Sequence, residues 1–448
     1  RSNIGYLGRA SYSYDDRYFF TGSYRRDGAS VFGVNQKWGD FFAFGGAWRL
    51  SSEKFMSSIS YLEDLKLKVS WGKNGNQGLD PYGTLSTINN GASGGVRYEF
   101  GGSDIIYGLN QKALGNANLG WETTESWNTG FESAWLGSRL FVDLDLYFSK
   151  TTDQIFTRDI PVMTGFKNMK SSMGQVNNRG VELTIRSVNT NTQDWYWTTN
   201  LTFWLNRNKL VHLYGEDLNG DGKEDDDISN SRFIGKPLGA IYGYQQDGIV
   251  QETDIEYMKA NGATPGIPKY KDMDNDGVIT SADRVILGYS TPNFKLNMSN
   301  TITYKNWDLY FMLTGTFGGG GYYQKSNKGA YLTNGSGRFN TNGIYIPWWT
   351  PENKSNEYPA ATFNDDGGRF LGLQNRAFVR LQDVTLSYTF REPWVQKVNI
   401  QNLKVFFTAK NLFTITKWQG GDPEVGVTVS ENTYPVLTSF SLGANISF

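Results

Sequence analysis

The chain has 448 residues, with 43 lysines and arginines against 44 aspartates and glutamates, and no cysteine. The net charge of −1 argues against nucleic-acid binding, and the lack of cysteine excludes disulfides and thiolate metal sites. Only 38% of the residues are hydrophobic although 15% are aromatic. No apolar run reaches the roughly 18 residues of a transmembrane helix. This composition predicts an all-β protein whose apolar residues are spread thinly over one face of its strands.

The predicted elements are thirteen strands, many of which alternate strictly between apolar and polar residues. In chain order they are residues 4–15, 18–25, 41–50, 65–71, 123–134, 139–155, 180–188, 195–206, 294–304, 307–316, 377–390, 403–409 and 439–448. In the sixth strand, Val142, Leu144, Leu146 and Phe148 share one face. Successive side chains of a strand point to opposite faces, so each strand meets two environments. Alternation alone fits a soluble sandwich with a covered core and a membrane barrel with a lipid-facing side.

The connections between these strands alternate between short turns and long loops. The long ones are residues 26–40, 73–122, 156–179, 207–293, 317–376 and 410–438. Structureless loops of this length are uncommon in compact soluble domains, whereas outer-membrane barrels combine tight periplasmic turns with long external loops. Many of the strands also have the nine or so residues that cross a bilayer at a tilt. The pattern therefore predicts an antiparallel transmembrane β-barrel with long extracellular loops.

The parity of the strand count adds a further expectation. If the short turns are periplasmic, the last strand runs inward and places Phe448 in the periplasm, whereas Arg1 lies outside. Bacterial single-chain barrels have even numbers of strands, and thirteen is odd. We therefore expect these strands to be part of a larger barrel.

Five segments carry a resemblance to a known family, in the same order along nearly the whole chain. They are YLGRASYSYDDRYFFTGSYRRDGASVFG, GWETTESWNTGFESAWLGSRLFVDLDLYFSKTTDQIF, FVRLQDVTLSYTF, LKVFFTAKNLFTITKWQGGDPEV and YPVLTSFSLGANISF. They resemble the SusC-like (RagA-like) TonB-dependent transporters of the Bacteroidota. The resemblance implies that residues 1–448 form the C-terminal portion of a barrel of about 22 strands. It also implies that the plug domain, the TonB box and the N-terminal strands are absent from this chain.

The same resemblance implies a function: active import of oligosaccharides or peptides across the outer membrane of a Gram-negative bacterium. The implied partners are a SusD-like surface lipoprotein, TonB–ExbB–ExbD acting through the missing N-terminal part, the rest of the barrel and plug, membrane lipid and the substrate. Two other classes remain open: a passive porin or adhesin-like barrel, and a soluble carbohydrate-binding β protein. Aromatic residues predicted in the external loops, and therefore available to stack on sugar rings, are Tyr82, Tyr107, Trp349 and Trp418.

The sharpest local motif is KYKDMDNDGVITSADRVILG, within the predicted loop 207–293. Its spacing matches an EF-hand-type loop, in which hard oxygen ligands at alternate positions wrap Ca²⁺ and a glycine permits the sharp turn. The predicted ligands are Asp272, Asp274, Asp276, the carbonyl of Val278, Thr280 and Asp283. The last of these is an aspartate where such loops usually carry glutamate. A solvated turn rich in Asp, Asn and Gly is the alternative interpretation.

A weaker version of this motif, EDLNGDGKEDDDIS, lies earlier in the same predicted loop. Its candidate ligands are Asp217, Asn219, Asp221 and Asp225. The position that should close the site is Ile228, which has no ligand atom. Both motifs would hold a structural Ca²⁺ that stiffens an external loop, and no other cofactor is expected.

No enzymatic activity is predicted. His212 is the only histidine of the chain, so zinc catalysis and Ser–His chemistry lack their residues. The paired carboxylates Asp143 and Asp145 are interpreted as polar wall facing a water-filled lumen rather than as an acid–base pair.

Overall fold

The computed structural model of the chain describes residues 1–90, 97–99, 105–217, 219–322, 347–360, 363, 373–391, 393–397, 400–418, 422–424 and 436–448. Its strands are β1 (Asn3–Tyr14), β2 (Tyr18–Ala29), β3 (Trp38–Arg49), β4 (Leu62–Asn76), β5 (Thr87–Asn90), β6 (Arg97–Glu99), β7 (Ile105–Tyr107), β8 (Leu109–Ala113), β9 (Glu122–Trp135), β10 (Leu140–Asp159), β11 (Asn168–Asn191), β12 (Trp195–His212), β13 (Ala240–Tyr244), β14 (Gln246–Ile249), β15 (Pro268–Tyr270), β16 (Arg284–Tyr289), β17 (Phe294–Tyr304), β18 (Trp307–Phe317), β19 (Gly320–Tyr322), β20 (Leu373–Asn375), β21 (Phe378–Phe390), β22 (Asn402–Thr416) and β23 (Ser439–Ser447). The helices are α1 (Ile255–Asn261), α2 (Pro393–Lys397) and the 3₁₀ turns Leu50–Ser52, Lys54–Met56, Val162–Thr164, Ile228–Asn230 and Ser281–Asp283.

Thirteen of these strands form one antiparallel sheet in which neighbours along the sheet are neighbours in chain order. The order is β1-β2-β3-β4-β9-β10-β11-β12-β17-β18-β21-β22-β23, and the other strands pair two by two in the loops. Each of the thirteen predicted strands is present in this sheet, so the predicted all-β class is confirmed. Tight turns join β1 to β2, β9 to β10, β11 to β12 and β17 to β18. In the β1–β2 turn, Asp15 and Asp16 have φ of 51° and 52°. Two successive left-handed residues are typical of the type I′ turn that matches strand twist.

Several strands are longer than predicted at the end away from the tight turns. β2 continues to Ala29, β10 to Asp159, and β11 already begins at Asn168. The predicted long loop 156–179 is therefore mostly strand, and the predicted loop 26–40 is shortened at both ends, because β3 already begins at Trp38. The extensions lack the strict alternation that marks a strand in sequence. Pairing with the neighbouring strands and burial of Ala29, Phe156 and Val176 under the loops hold them.

The chain divides into two compact units, residues 1–186 with 206–238 and residues 187–205 with 239–448. In the first unit most of the buried apolar side chains gather in two clusters. Both combine residues of the long loops with residues at the strand ends next to those loops. One cluster is Ala29, Val31, Phe32, Phe41, Leu79, Leu119 and Trp121, and the other is Phe156, Val176, Leu210 and Leu213. The rings of Phe32 and Trp121 lie 4.7 Å apart.

The loops of the second unit also contain deeply buried residues. Ile249 and Val250, between β14 and α1, are at most 1% exposed. Trp349 is 8% exposed, and its indole N–H donates to Gln251 Oε1 at 2.9 Å. In both units folded loops therefore supply much of the buried apolar core. None of the helices in the described ranges is long and apolar enough to cross a membrane.

Candidate functional site

One face of the sheet in the first unit is a continuous apolar surface that remains exposed. Cross-strand pairing sets Phe44 opposite Trp71, Trp71 opposite Trp127, and Trp127 opposite Phe148. Trp127 is 53% exposed and Phe148 is 45% exposed. Leu144, which a soluble sandwich would bury between two sheets, is only half-buried. An apolar surface of this extent is unfavourable in water and marks contact with a partner or a membrane.

The second unit repeats this feature on its own strands. Aromatic rings line the short-turn end, where Trp195 lies 4.4 Å from Tyr304 and Trp307 lies 4.8 Å from Tyr388 between ring centroids. Further along, Leu442 is 79% exposed. Amphipathic rings at strand ends, next to an exposed apolar band, are the arrangement expected at a membrane–water interface.

The opposite face carries a charged cluster centred on Lys68 of β4. Its ammonium lies 2.8 Å from Asp143 Oδ1, 2.9 Å from Asp145 Oδ2 and 3.3 Å from Glu132 Oε1. Lys66 adds a contact of 3.2 Å to Glu132 Oε2. The two aspartates therefore share one lysine as partner, which is the arrangement of a structural ion-pair network on a wetted wall. Sequence reasoning did not find Lys68, because its two aspartate partners are 75 and 77 residues away along the chain.

A cavity of about 240 Å³ opens beside this cluster. Phe19, Thr21, Gly45, Lys68 and Asn128 are among the residues that line it. Small residues of β3 form its floor, since a Cβ on Gly45 would meet its nearest heavy atom only at 3.7 Å. The polar face thus offers one aromatic ring together with hydroxyl, amide and charged groups, which suits contact with hydrophilic solutes.

The structure brings together the three leading residues of the sharper acidic motif. Carboxylate oxygens of Asp272, Asp274 and Asp276 all lie within 4.8 Å of one another, and in the described part of the chain this is the one acidic group of its kind. The backbone turns as the motif predicts, with Gly277 at φ of 87°. Asp283 is fully buried, and its two oxygens accept from the N–H groups of Met273 and Thr280 at 2.7 Å.

The weaker motif folds with the same hydrogen bonds but a different centre. Asp217 accepts from the N–H of Gly222 at 2.8 Å, as Asp272 accepts from Gly277 at 2.7 Å. In the weaker loop, however, the amide of Asn219 donates to Asp225 Oδ1 at 2.9 Å. The amide N–H of Asn219 therefore places partial positive charge beside the Asp225 carboxylate. The carboxylates of the sharper loop receive no such side-chain amide donor from the described residues, and they face one another. The two loops therefore have similar backbone hydrogen bonds but different distributions of charge.

In the sharper loop the pKa values of Asp274 and Asp283 are shifted in opposite directions. Partial desolvation raises the pKa of the Asp274 carboxyl, and the nearby Asp276 carboxylate adds to that rise. Hydrogen bonds from the N–H groups of Thr280 and Met273 lower the pKa of Asp283. A carboxylate whose charge is disfavoured by its neighbours is one that a bound cation would stabilise.

A second carboxylate, Glu224, fixes the weaker loop to the end of β12. It accepts from the N–H groups of Leu213 at 2.6 Å and Gly215 at 2.7 Å, and it lies 3.2 Å from His212 Nδ1. Burial works to raise its pKa, but the hydrogen bonds from Gly215, Leu213 and His212 outweigh that effect and leave the pKa below its ordinary value. The sole histidine thus supports a loop anchor.

We expect Glu224→Gln to lower the local stability of the segment 213–228 by about 1.5–3 kcal/mol, since hydrogen bonds to a charged acceptor contribute that much. Because the folded-state pKa is lowered, the carboxylate stabilises the loop above its unfolded-state pKa of about 4.3 and loses that contribution as the pH falls further. Limited proteolysis of this segment between neutral and acidic pH measures both effects. Cleavage that is independent of pH in the unmodified protein would contradict the anchor.

Two arginines hold the described part of the last long loop. Arg380 of β21 is buried and donates to Asp422 Oδ2 at 2.9 Å, Glu424 Oε2 at 2.7 Å and Thr414 Oγ1 at 3.0 Å. Its guanidinium also lies 4.9 Å from the ring centre of Phe378. Arg376 donates to the carbonyl of Pro423 at 2.9 Å. The contacts of these arginines with residues 422–424 join positions more than 40 residues apart. No spacing in the sequence indicated them.

The predicted sugar-stacking aromatics have different outcomes. Trp349 and Trp418 are 8% and 5% exposed, so their ring faces are covered by protein. Tyr82 is 73% exposed and retains a free face. The side chain of Tyr107 lies outside the described residues.

The fold agrees with comparisons to known proteins. The family described as "TonB dependent receptor-like, beta-barrel" matches residues 1–412. The chain is 30% identical over 461 residues to the TonB-dependent receptor SusC of Bacteroides thetaiotaomicron, covering 99% of this chain and 44% of SusC. It is 29% identical over 464 residues to the TonB-dependent receptor P3 of Formosa agariphila, covering 99% of this chain and 45% of P3. The chain thus spans about half the length of the curated relatives it matches.

Solved structures share the fold as well. The structure titled as the RagAB peptide transporter superposes with a TM-score of 0.80 at 24% identity, over 100% of this chain and 47% of the other. The same importer in its 'open-open' state gives a TM-score of 0.79 at 24% identity, with the same two shares covered. The family match over residues 1–412, together with a sheet that is apolar on one exposed face and polar on the other, leads to one conclusion: this chain belongs to the TonB-dependent receptor β-barrel family of outer-membrane proteins.

Proposed function

We propose that this chain forms barrel wall and external loops of a TonB-energised importer that takes up oligosaccharides or peptides with a SusD-like surface lipoprotein. The observation that carries the proposal is the two-faced sheet, with exposed rings on one side and the Lys68 ion-pair cluster on the other. A lipid-facing band and a polar lumen are what a solute-conducting barrel needs. The relatives named above are TonB-dependent receptors, which favours energised uptake over a passive pore.

The proposal includes a place for the chain within the receptor. We assign residues 1–448 to the C-terminal portion of a barrel of about 22 strands. The plug, the TonB box and the earlier strands would then belong to the rest of the receptor, through which TonB–ExbB–ExbD acts. The short turns would face the periplasm together with the C-terminus. The relatives, which are about twice as long as this chain, leave room for those parts.

Uptake by intact cells tests this function. Cells that carry the complete receptor should accumulate labelled oligosaccharide or peptide in a way that requires TonB and the neighbouring lipoprotein. Collapse of the proton-motive force should abolish the accumulation. Uptake that persists without TonB would favour the passive porin, and recovery of the protein in the soluble fraction would favour the soluble binding protein.

We also propose that the loop 272–283 binds a structural Ca²⁺. Support comes from three carboxylates within 4.8 Å of one another and from a backbone that already turns at Gly277. The ligands would be Asp272, Asp274, Asp276, the carbonyl of Val278, Thr280 and Asp283. The loop 217–225 is the weaker candidate, with Asp217, Asn219, Asp221 and Asp225 as its ligands, because Asn219 already donates to Asp225.

We expect millimolar Ca²⁺ to stabilise the receptor's 272–283 loop by about 1–2 kcal/mol, given the millimolar to submillimolar affinities typical of extracellular calcium modules. Protection of this segment from proteolysis, with and without chelator, measures the effect. Asp272→Asn should abolish it, whereas Asp217→Asn, at the equivalent position of the other loop, should leave it unchanged. Equal protection in the Asp272→Asn variant would contradict the site.

A further inference from the structure

A row of basic side chains borders the apolar face of the first unit, on the side away from the tight turns. We call it the basic rim. Its six members are Arg26 of β2, Lys73 of β4, Lys150 of β10, Arg179 of β11, and Arg207 and Lys209 of β12. Neither the family fold nor the proposed importer function explains why cations should gather on the lipid-facing side.

Strand register places two members of the basic rim directly beyond the aromatic row. Trp71, Trp127 and Phe148 face one another across β4, β9 and β10. Two residues further along, Glu125 is paired with Lys73 on one side and with Lys150 on the other. Residues two apart in a strand share a face. Both lysines therefore lie on the apolar face, next to the rings.

Side-chain contacts place two arginines and the last lysine on the same face. Tyr147 donates to Asn206 Oδ1 at 3.0 Å, and Asn206 donates to Asn178 Oδ1 at 3.2 Å, so these three meet on the polar face. The residues that follow, Arg179 and Arg207, must then lie on the opposite face, and both are exposed. Lys209, two residues on in β12, shares that face and is also exposed.

Arg26 completes the basic rim at its other end. It lies two residues beyond Tyr24 on β2, and its guanidinium is 5.5 Å from the ring centre of Trp38. The side chain is 50% exposed although Asp40 is 3.8 Å away. The stem thus rests on an aromatic ring while the charge remains accessible, as arginine does at membrane interfaces.

The charge along the basic rim is strongly positive. Among the residues that the structure describes, two carboxylates, Asp40 and Glu125, are paired across strands with members of the six-residue basic rim. Glu125 is further engaged by the indole N–H of Trp71 at 2.8 Å. The acidic residues of the Lys68 cluster lie on the other face of the sheet. Such an excess of cations beside an apolar band fits an amphiphile with an anionic head and hydrocarbon tails.

We propose that the basic rim binds the phosphate groups of lipid A, with the acyl chains lying against the row Phe44, Trp71, Trp127 and Phe148. Arginine and lysine are the side chains that hold phosphate through charge-assisted hydrogen bonds. The inference rests on the proposed orientation, in which the long-loop end meets the outer leaflet, where lipid A is the phosphorylated glycolipid. Glycerophospholipid, the other phosphate-bearing lipid, is an outcome that the test separates.

The test uses the complete receptor, extracted from outer membranes in mild detergent, and mass spectrometry of the lipids that remain bound. The variant combines Lys73→Gln, Lys150→Gln, Arg179→Gln and Arg207→Gln. Each charge removed near a lipid surface should weaken binding about fivefold, so lipid A should be lost from the variant and retained by the unmodified receptor. Raising the ionic strength should weaken binding to the unmodified receptor, because exposed charges are screened.

A matched control removes four exposed cations elsewhere: Arg9→Gln, Lys223→Gln, Lys259→Gln and Lys354→Gln. The control should retain lipid A. Equal retention by both variants, or glycerophospholipid alone in the unmodified receptor, would overturn the proposal.

If the rim variant fails to fold, a second experiment tests the inference on the unmodified receptor. In zwitterionic nanodiscs the receptor should gain thermal stability on addition of lipid A, and no gain would overturn the inference. TonB-dependent uptake by the same cells reports on the importer function separately, so either idea can fail alone.

Discussion

Replacing Leu144 with arginine should destabilise the membrane-inserted receptor by about 2–4 kcal/mol, the cost of a cation on the lipid face near the bilayer midplane. Leu144 pairs with Phe131 on β9, roughly midway between the rings at Trp135 and Trp127. The side chain is half-buried in the isolated sheet. At such a position in a water-exposed sheet the same substitution would change stability by only about half a kcal/mol. The size of the effect therefore measures which solvent this face meets.

Ser149→Arg provides the matched control, because Ser149 lies on the polar face of the same strand, opposite Ser126. We expect it to change stability by less than about 1 kcal/mol, since lumen-side substitutions avoid hydrocarbon. Urea titration of the complete receptor folded into lipid vesicles measures both variants. Similar small effects for the two would contradict a lipid-facing role for the apolar face.

The strands were predictable from the sequence because a membrane demands strict alternation between apolar and polar side chains. Segments such as Val142 to Phe148 carry that period without interruption, and all thirteen predicted strands are found in the sheet. Strand ends were less predictable. β11 begins at Asn168, about a dozen residues before its predicted start. Neither face of this extension has to meet hydrocarbon, so strict alternation is lost, and folded loops cover Ser171 and Val176.

The site was predictable only where its residues are close in sequence. The aspartates of the loop 272–283 were found from their spacing, and three of them do converge. The Lys68 cluster and the Arg380 contacts join strands and loops that are far apart along the chain, so only the register reveals them. Trp349 and Trp418 were predicted as exposed binding groups because external loops usually are solvated. These loops instead fold into small cores of their own, which bury both indoles.

Arg380→Met should cost about 3–5 kcal/mol, because it leaves the buried carboxylate of Asp422 without its cation. The side chains of Arg380 and Asp422 are 5% and 9% exposed, so water cannot replace the missing partner. We expect the loss to appear as release of the loop around residues 422–424 from β21, detected by faster proteolysis of this loop in the folded receptor. Arg380→Lys should restore only part of the protection, since an ammonium lacks the planar fork with which the guanidinium donates to Asp422, Glu424 and Thr414.

The double variant Arg380→Met with Asp422→Leu separates charge from packing. Replacing both members of a buried ion pair with apolar side chains is often nearly neutral, whereas removal of one leaves an uncompensated charge. The double variant should therefore recover most of the stability that Arg380→Met loses. Arg9→Met, at an exposed position of β1, serves as the control for removing an arginine and should have little effect. If Arg380→Met were as mild as Arg9→Met, or if the double variant were no better than the single one, the ion pair would not be what holds the last long loop.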